Sequence, residues 1–127
     1  MKKAEIQLRN TLKINASFSL LTGIVLLLFS QSMVDFMNLG PSLIYTVIGI
    51  GLIIFVVYLS FASMKKKINK WVIQSIIVQD FLWVIGSIYI ILFNPYPITM
   101  AGSISIVIIA LIVMTFALFQ RKYLSML

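Results

Sequence analysis

The chain has 127 residues, of which 61% are hydrophobic and only 10% charged, with a net charge of +7 and a mean hydropathy of +1.11. An ordinary soluble domain carries about 25% charged residues, so a water-exposed globule is excluded and lipid is the expected solvent. The absence of Cys and His removes disulfides, thiol chemistry and the usual soft metal and haem ligands, and the Lys and Arg residues flank apolar runs instead of forming the basic face that nucleic acid requires.

Met1–Lys13 mixes Ala4, Leu8 and Leu12 with Lys2, Lys3, Glu5, Arg9 and Lys13. It either extends the first helix or lies along the inner membrane surface. A bilayer core needs roughly 20 apolar residues per helix. The first such run is Ile14–Ser32, the most polar of four. Ser30-Gln31-Ser32 is a weak small-x-small cleavage pattern, but the long polar region ahead of the span argues for retention. An outer link over Gln31–Pro41 ends at Gly40-Pro41, because proline lacks an N–H and restricts the residue before it. The second span is Ser42–Met64. Lys65-Lys66-Lys67-Ile68-Asn69-Lys70 then forms a short charged loop. The third span is Trp71–Phe93, the turn Asn94-Pro95-Tyr96-Pro97 follows, and the fourth span is Ile98–Phe119. Arg121 and Lys122 follow it.

These links are short, so consecutive spans are antiparallel neighbours. The expected fold is all-α: a transmembrane four-helix antiparallel bundle forming one integral membrane domain over residues 1–127. All ten basic residues fall in the two terminal segments and the middle loop, and none in the outer links Gln31–Pro41 and Asn94–Pro97. The positive-inside rule therefore places both termini in the cytoplasm. Lys65, Lys66, Lys67, Lys70, Arg121 and Lys122 are expected to contact lipid headgroups. Trp71, Tyr96 and Tyr123 fall at headgroup level, and Tyr45 close to it. Both halves run inside–outside–inside, the outline of a tandem helical hairpin.

Of the three acids, Glu5 and Asp35 read as solvated surface charges. Asp80 lies ten residues into the third span, near the midplane, where a carboxylate costs about 2.5–3.5 kcal/mol. At 100° per residue Ser75, Gln79, Asp80, Trp83, Gly86 and Ser87 share one side of that span. Asn15, Ser19, Thr22, Gly23 and Ser30 share a face of the first. Ser42, Thr46, Gly49 and Ser60 do so on the second, and Thr99, Ser103, Ala110 and Ala117 on the fourth. These faces are expected to turn inward, with Ser19-x-x-x-Gly23 allowing close helix approach and Gly49, Gly51 and Gly86 serving packing. Trp83 either donates its indole N–H near Asp80 or fills the core. No basic residue lies at the depth of Asp80. It is either a neutral latch between helices or an ionised site for a proton or cation in a wet cavity. The candidate intramembrane polar site is Asp80, Gln79, Trp83, Ser87, Asn15 and Ser19.

Asp80-Phe81-Leu82-Trp83-Val84-Ile85-Gly86-Ser87 reads D-x-x-W-V-x-G-S, and Asn15–Gly23 reads N-x-x-F-S-L-L-T-G. With four spans and a basic middle loop, the chain resembles a group of uncharacterised small bacterial four-span integral membrane proteins. The resemblance implies a compact bundle in a bacterial inner membrane and brings no activity. The small multidrug-resistance exporters share the size, but they depend on a Glu in the first span, which this chain lacks.

Two functions compete. One is a non-catalytic bundle that binds a lipid or a partner membrane protein, or assembles with itself. An immunity protein against a membrane-active peptide is one version. The other is a small oligomeric proton- or cation-linked transporter or pore using Asp80. Catalysis is not expected, since acid–base work needs paired carboxylates, His or a metal. No cofactor or metal is expected, and the lipid bilayer is the first partner.

Overall fold

The computed structural model describes residues 3–93 and 97–127. Lys2 and most of the turn Asn94-Pro95-Tyr96-Pro97, including Tyr96, lie outside the described residues. Five helices follow in order: α1 (Lys3–Leu28), α2 (Ser30–Met37), α3 (Ser42–Met64), α4 (Lys70–Phe93) and α5 (Met100–Ser125). All except α2 are long and apolar enough to cross a membrane. The chain is an all-α, antiparallel four-helix transmembrane bundle.

The expected spans hold, with changes at their ends. The N-terminal segment extends the first helix: α1 begins at Lys3, and its buried stripe Ala4, Leu8, Leu12, Ala16 keeps one face inward from the start. The first span also ends earlier than Ser32. The helix breaks at Phe29, and Ser30–Met37 form a separate short helix inside the link to α3. Asn38 closes α2 in the left-handed conformation (φ 51°), and Gly40 follows at φ 146°. A side chain rarely adopts the second value, so glycine suits that turn. At the other end α5 runs six residues past Phe119, through Arg121 and Lys122.

The helices stand in a curled row, α3–α1–α5–α4. Helices α3 and α4, expected to be neighbours because a short link joins them, instead occupy its two ends. They meet near their connecting loop, where Tyr58 and Ser75 share a hydrogen bond of 2.8 Å. There Leu8, Leu12 and Ala16 of α1 pack with Leu59 and Ala62 of α3, Ile73, Ile76 and Ile77 of α4, and Leu124 of α5. The start of α1 and the end of α5 are therefore at the same end of the bundle as the basic loop. The outward faces carry side chains such as Leu21, Ile54, Ile85, Leu92 and Leu111, each more than three-fifths exposed, as lipid contact requires.

Small residues decide the crossing of α1 and α3. A Cβ on Gly49 would stand 2.9 Å from Leu27 Cγ and 3.1 Å from the Gly23 carbonyl oxygen; one on Gly23 would stand 3.3 Å from the Gly49 carbonyl oxygen. Of the expected Ser19-x-x-x-Gly23 pair, Gly23 is thus at the α1–α3 crossing. The expected inward faces of α3 and α5 are rotated. On α3 the buried residues are Tyr45, Gly49, Leu59, Ala62 and Ser63, and on α5 Gly102, Ile106, Val113, Ala117, Gln120 and Leu124. Apolar residues pack well against apolar neighbours, so small and polar residues alone misplace the face.

Two polar fastenings close the ends. At the end away from the basic loop Thr99 N–H donates to the Met37 carbonyl (3.0 Å), Asn38 Nδ2 to the Pro97 carbonyl (3.0 Å), and the Leu39 N–H to the Tyr45 hydroxyl (2.8 Å). Tyr45 is accordingly buried. At the loop end the Arg9 guanidinium donates to the carbonyls of Ser63 (2.9 Å), Lys65 and Lys66 and pairs with Glu5 at 2.9 Å. Glu5 is half-buried in this pair instead of a free surface charge. A cation at a helix C-terminus satisfies carbonyls that have no partner within the helix. Arg9→Ala should release the end of α3 and cost about 2 kcal/mol. The chain supplies its own reporter: trypsin cleavage within Lys65–Lys70 should accelerate, and unchanged cleavage would contradict the clamp.

Candidate intramembrane polar site and groove

Three helices bring amide and acid side chains to one buried point. Asn15 on α1 lies one turn below Ser19, and the Ser19 hydroxyl donates to Asn15 Oδ1 (3.2 Å). This fixes the amide so that Asn15 Nδ2 points across the bundle. It donates to Asp80 Oδ2 on α4 (3.2 Å) and to Gln120 Oε1 on α5 (3.1 Å). Gln120 Nε2 in turn donates to the same Asp80 Oδ2 at 2.8 Å. All four residues are at most 5% exposed. A carboxylate oxygen in this setting needs such donors, because an unsatisfied polar group in hydrocarbon costs several kcal/mol.

The other carboxylate oxygen is different. Asp80 Oδ1 has no hydrogen-bond partner among the described residues, yet it is not sealed. It borders a cavity of about 280 Å³, whose lining includes Asn15, Phe18, Ser19, Gln79 and Trp83. A second cavity of about 320 Å³ continues it toward the end away from the basic loop, between Tyr45, Leu82, Trp83, Gly86 and Ile106. The two share Thr22, Ile48, Trp83 and Ile109, so together they form one groove. Its floor is α1 and α5; its walls are α3 and α4. It opens sideways where those two end helices of the row part.

Two glycines mark the walls. A Cβ on Gly51 of α3 or on Gly86 of α4 would meet nothing within 4 Å. Both were expected to serve packing, as Gly49 does, but neither touches another helix. Each instead widens the groove. Glycine inside a helix costs about 1 kcal/mol relative to alanine.

Of the six expected site residues, Asn15, Ser19 and Asp80 come together. Gln79 and Trp83 line the groove without joining the network; Trp83 is half-buried and donates to no side chain among the described residues. Ser87 turns back on its own helix, donating to the Trp83 carbonyl at 2.8 Å. Gln79 and Gly86 are thus on the groove side of α4 and Ser75 bonds to Tyr58 of α3, while Ile73, Ile76, Ile77 and Val84 are buried with Asp80. Gln120 was not anticipated. It lies three residues after Ala117 on the same helical face, and ending the fourth span at Phe119 placed it outside.

No family model, curated protein or solved structure matches this chain. Its functional reading therefore rests on the groove and the network themselves. What they offer chemically is a narrow apolar slot, open to the bilayer, with one carboxylate oxygen at its floor.

Proposed function

We propose that this protein is a non-catalytic membrane bundle that takes a chain-bearing amphiphile from the bilayer into the groove between α3 and α4. The observation that carries this reading is the pair Gly51 and Gly86. Two helix-interior glycines that contact nothing weaken their helices without improving packing, and the room they leave is continuous, apolar and laterally open. Leucine at both positions would fill the slot from its walls while leaving the α1–α3 crossing untouched. Native mass spectrometry of protein released gently from its membrane should show a single amphiphile held by the wild-type chain. That adduct should disappear in Gly51→Leu/Gly86→Leu. Identical spectra for the two proteins would refute the reading.

The bundle would sit in a bacterial inner membrane with its termini and basic loop on the cytoplasmic side, as the distribution of Lys and Arg supports. The chain contains no Cys, so single cysteines report topology directly. Lys67→Cys should react with an impermeant maleimide only after cells are opened, and Asp35→Cys in intact spheroplasts. The reverse pattern would invert the orientation.

A small oligomeric transporter or pore using Asp80 is the competing reading, favoured by the open Oδ1. It requires that Asp80→Asn abolish proton or cation flux in liposomes; unchanged flux sinks it.

A further inference from the structure

We infer that the groove selects a single-chain amphiphile bearing an ammonium group, held by Asp80 Oδ1. This inference rests on the groove reading above and names its ligand class.

The chemistry of the floor argues for it. Asp80 has one oxygen committed to Asn15 and Gln120 and one facing open space. The committed oxygen fixes the carboxylate plane, so the free oxygen has a set direction without being used. The groups around it offer no compensation. From α1 come Asn15, Phe18 and Ser19, from α3 Leu52 and Phe55, from α5 Val113 and Gln120; none is a Lys or Arg. Arg9, Lys65 and Lys122 are held at the loop end by carbonyls or by the rings of Phe61 and Tyr123. A carboxylate surrounded by apolar side chains and amide donors is complementary to a cationic donor, and an ammonium can supply both the charge and the hydrogen bond. The apolar remainder of the groove then takes the chain.

Depth chooses between two sources of ammonium. Asp80 lies ten residues from the start of α4, roughly 15 Å along the helix. The amine of a phospholipid is tied to its phosphate at the headgroup level and does not reach that far in. A free alkylammonium, with no phosphate, does. The groove walls run from Phe55 and Gln79 to Tyr45 and Ile90. This is about ten residues on each helix, again roughly 15 Å, the length of an extended chain of about a dozen carbons.

The protein contains a built-in detector. Trp83 lines both cavities, and the only other tryptophan, Trp71, is 81% exposed near the loop. In a Trp71→Phe background, in phosphatidylcholine nanodiscs, bromine on a bound chain should quench Trp83. We expect 12-bromododecylammonium to half-quench at concentrations at least tenfold below 12-bromododecanol. Asp80→Asn keeps a carbonyl oxygen for Asn15 and Gln120 but turns an NH2 to the groove, so the tenfold preference should vanish. Equal quenching by ammonium and alcohol in the wild-type background overturns the inference whether or not the variant folds. So does a preference that survives Asp80→Asn, or quenching by brominated phosphatidylethanolamine that exceeds that of the free amine. In those three cases the groove reading stands. If no brominated chain quenches Trp83 more than it does in Gly51→Leu/Gly86→Leu, the groove reading falls as well.

Discussion

Gly49→Leu should unfold the first hairpin of this bundle, whereas Gly51→Ala, two residues away on the same helix, should make the protein slightly more stable. At Gly49 even a Cβ would stand 2.9 Å from Leu27 Cγ and 3.1 Å from a backbone oxygen of Gly23. The side chain of Leu27 has some freedom to turn aside; the backbone of α1 has not. A leucine must therefore push α1 and α3 apart along their whole crossing, and overpacking of this kind costs about 3 kcal/mol. At Gly51 and Gly86 there is no neighbour to displace, so alanine should gain up to about 1 kcal/mol through helix propensity and a less flexible unfolded chain. Reversible unfolding in mixed micelles, followed by circular dichroism, would report both signs. If Gly49→Leu is as stable as wild type, the α1–α3 crossing is not where the structure places it.

Removing the carboxylate at Asp80 should cost more than removing its charge. Asp80→Ala takes the shared acceptor from Asn15 Nδ2 and Gln120 Nε2 at once and leaves two buried donors short of partners. Asn15 retains Gln120 Oε1, so the larger penalty falls on Gln120. The loss should be about 2 kcal/mol, near the upper end for polar contacts between membrane helices. Asp80→Asn presents an oxygen of the same shape to both donors and should fold with a loss of less than about 1 kcal/mol. A double-mutant cycle between Asp80→Ala and Gln120→Leu would isolate the coupling. Additive effects would mean that the Gln120–Asp80 hydrogen bond does not form in the membrane.

The same two sites show how far the sequence carries. Four crossings, their antiparallel order and the position of α3 were legible, because apolar run length and basic punctuation act locally along the chain. So was the partnership of Asn15, Ser19 and Asp80, since a polar group in lipid must turn toward other polar groups. Gln120 was missed because it touches Arg121, and a charge ends a span by hydropathy while the helix continues through it. The rotation of α3 was not legible either. Tyr45 faces inward there to accept from the Leu39 N–H, and Leu59 joins a core drawn from α1, α4 and α5; both partners exist only once the helices are placed. Gly49 and Gly51 look alike in sequence. One touches α1 and the other touches nothing, a difference that arises only from the pairing of helices.

The row order α3–α1–α5–α4 has a consequence for the groove. Its two walls are the ends of the row, and the chain joins them directly through the five residues between Met64 and Lys70. That joint is pinned to α1 by Arg9, so it acts as a calliper whose setting is the length of the loop. Lengthening the loop should let the walls part, and shortening it should draw them together. The width of what fits inside is thereby adjustable at a position that contributes no lining residue.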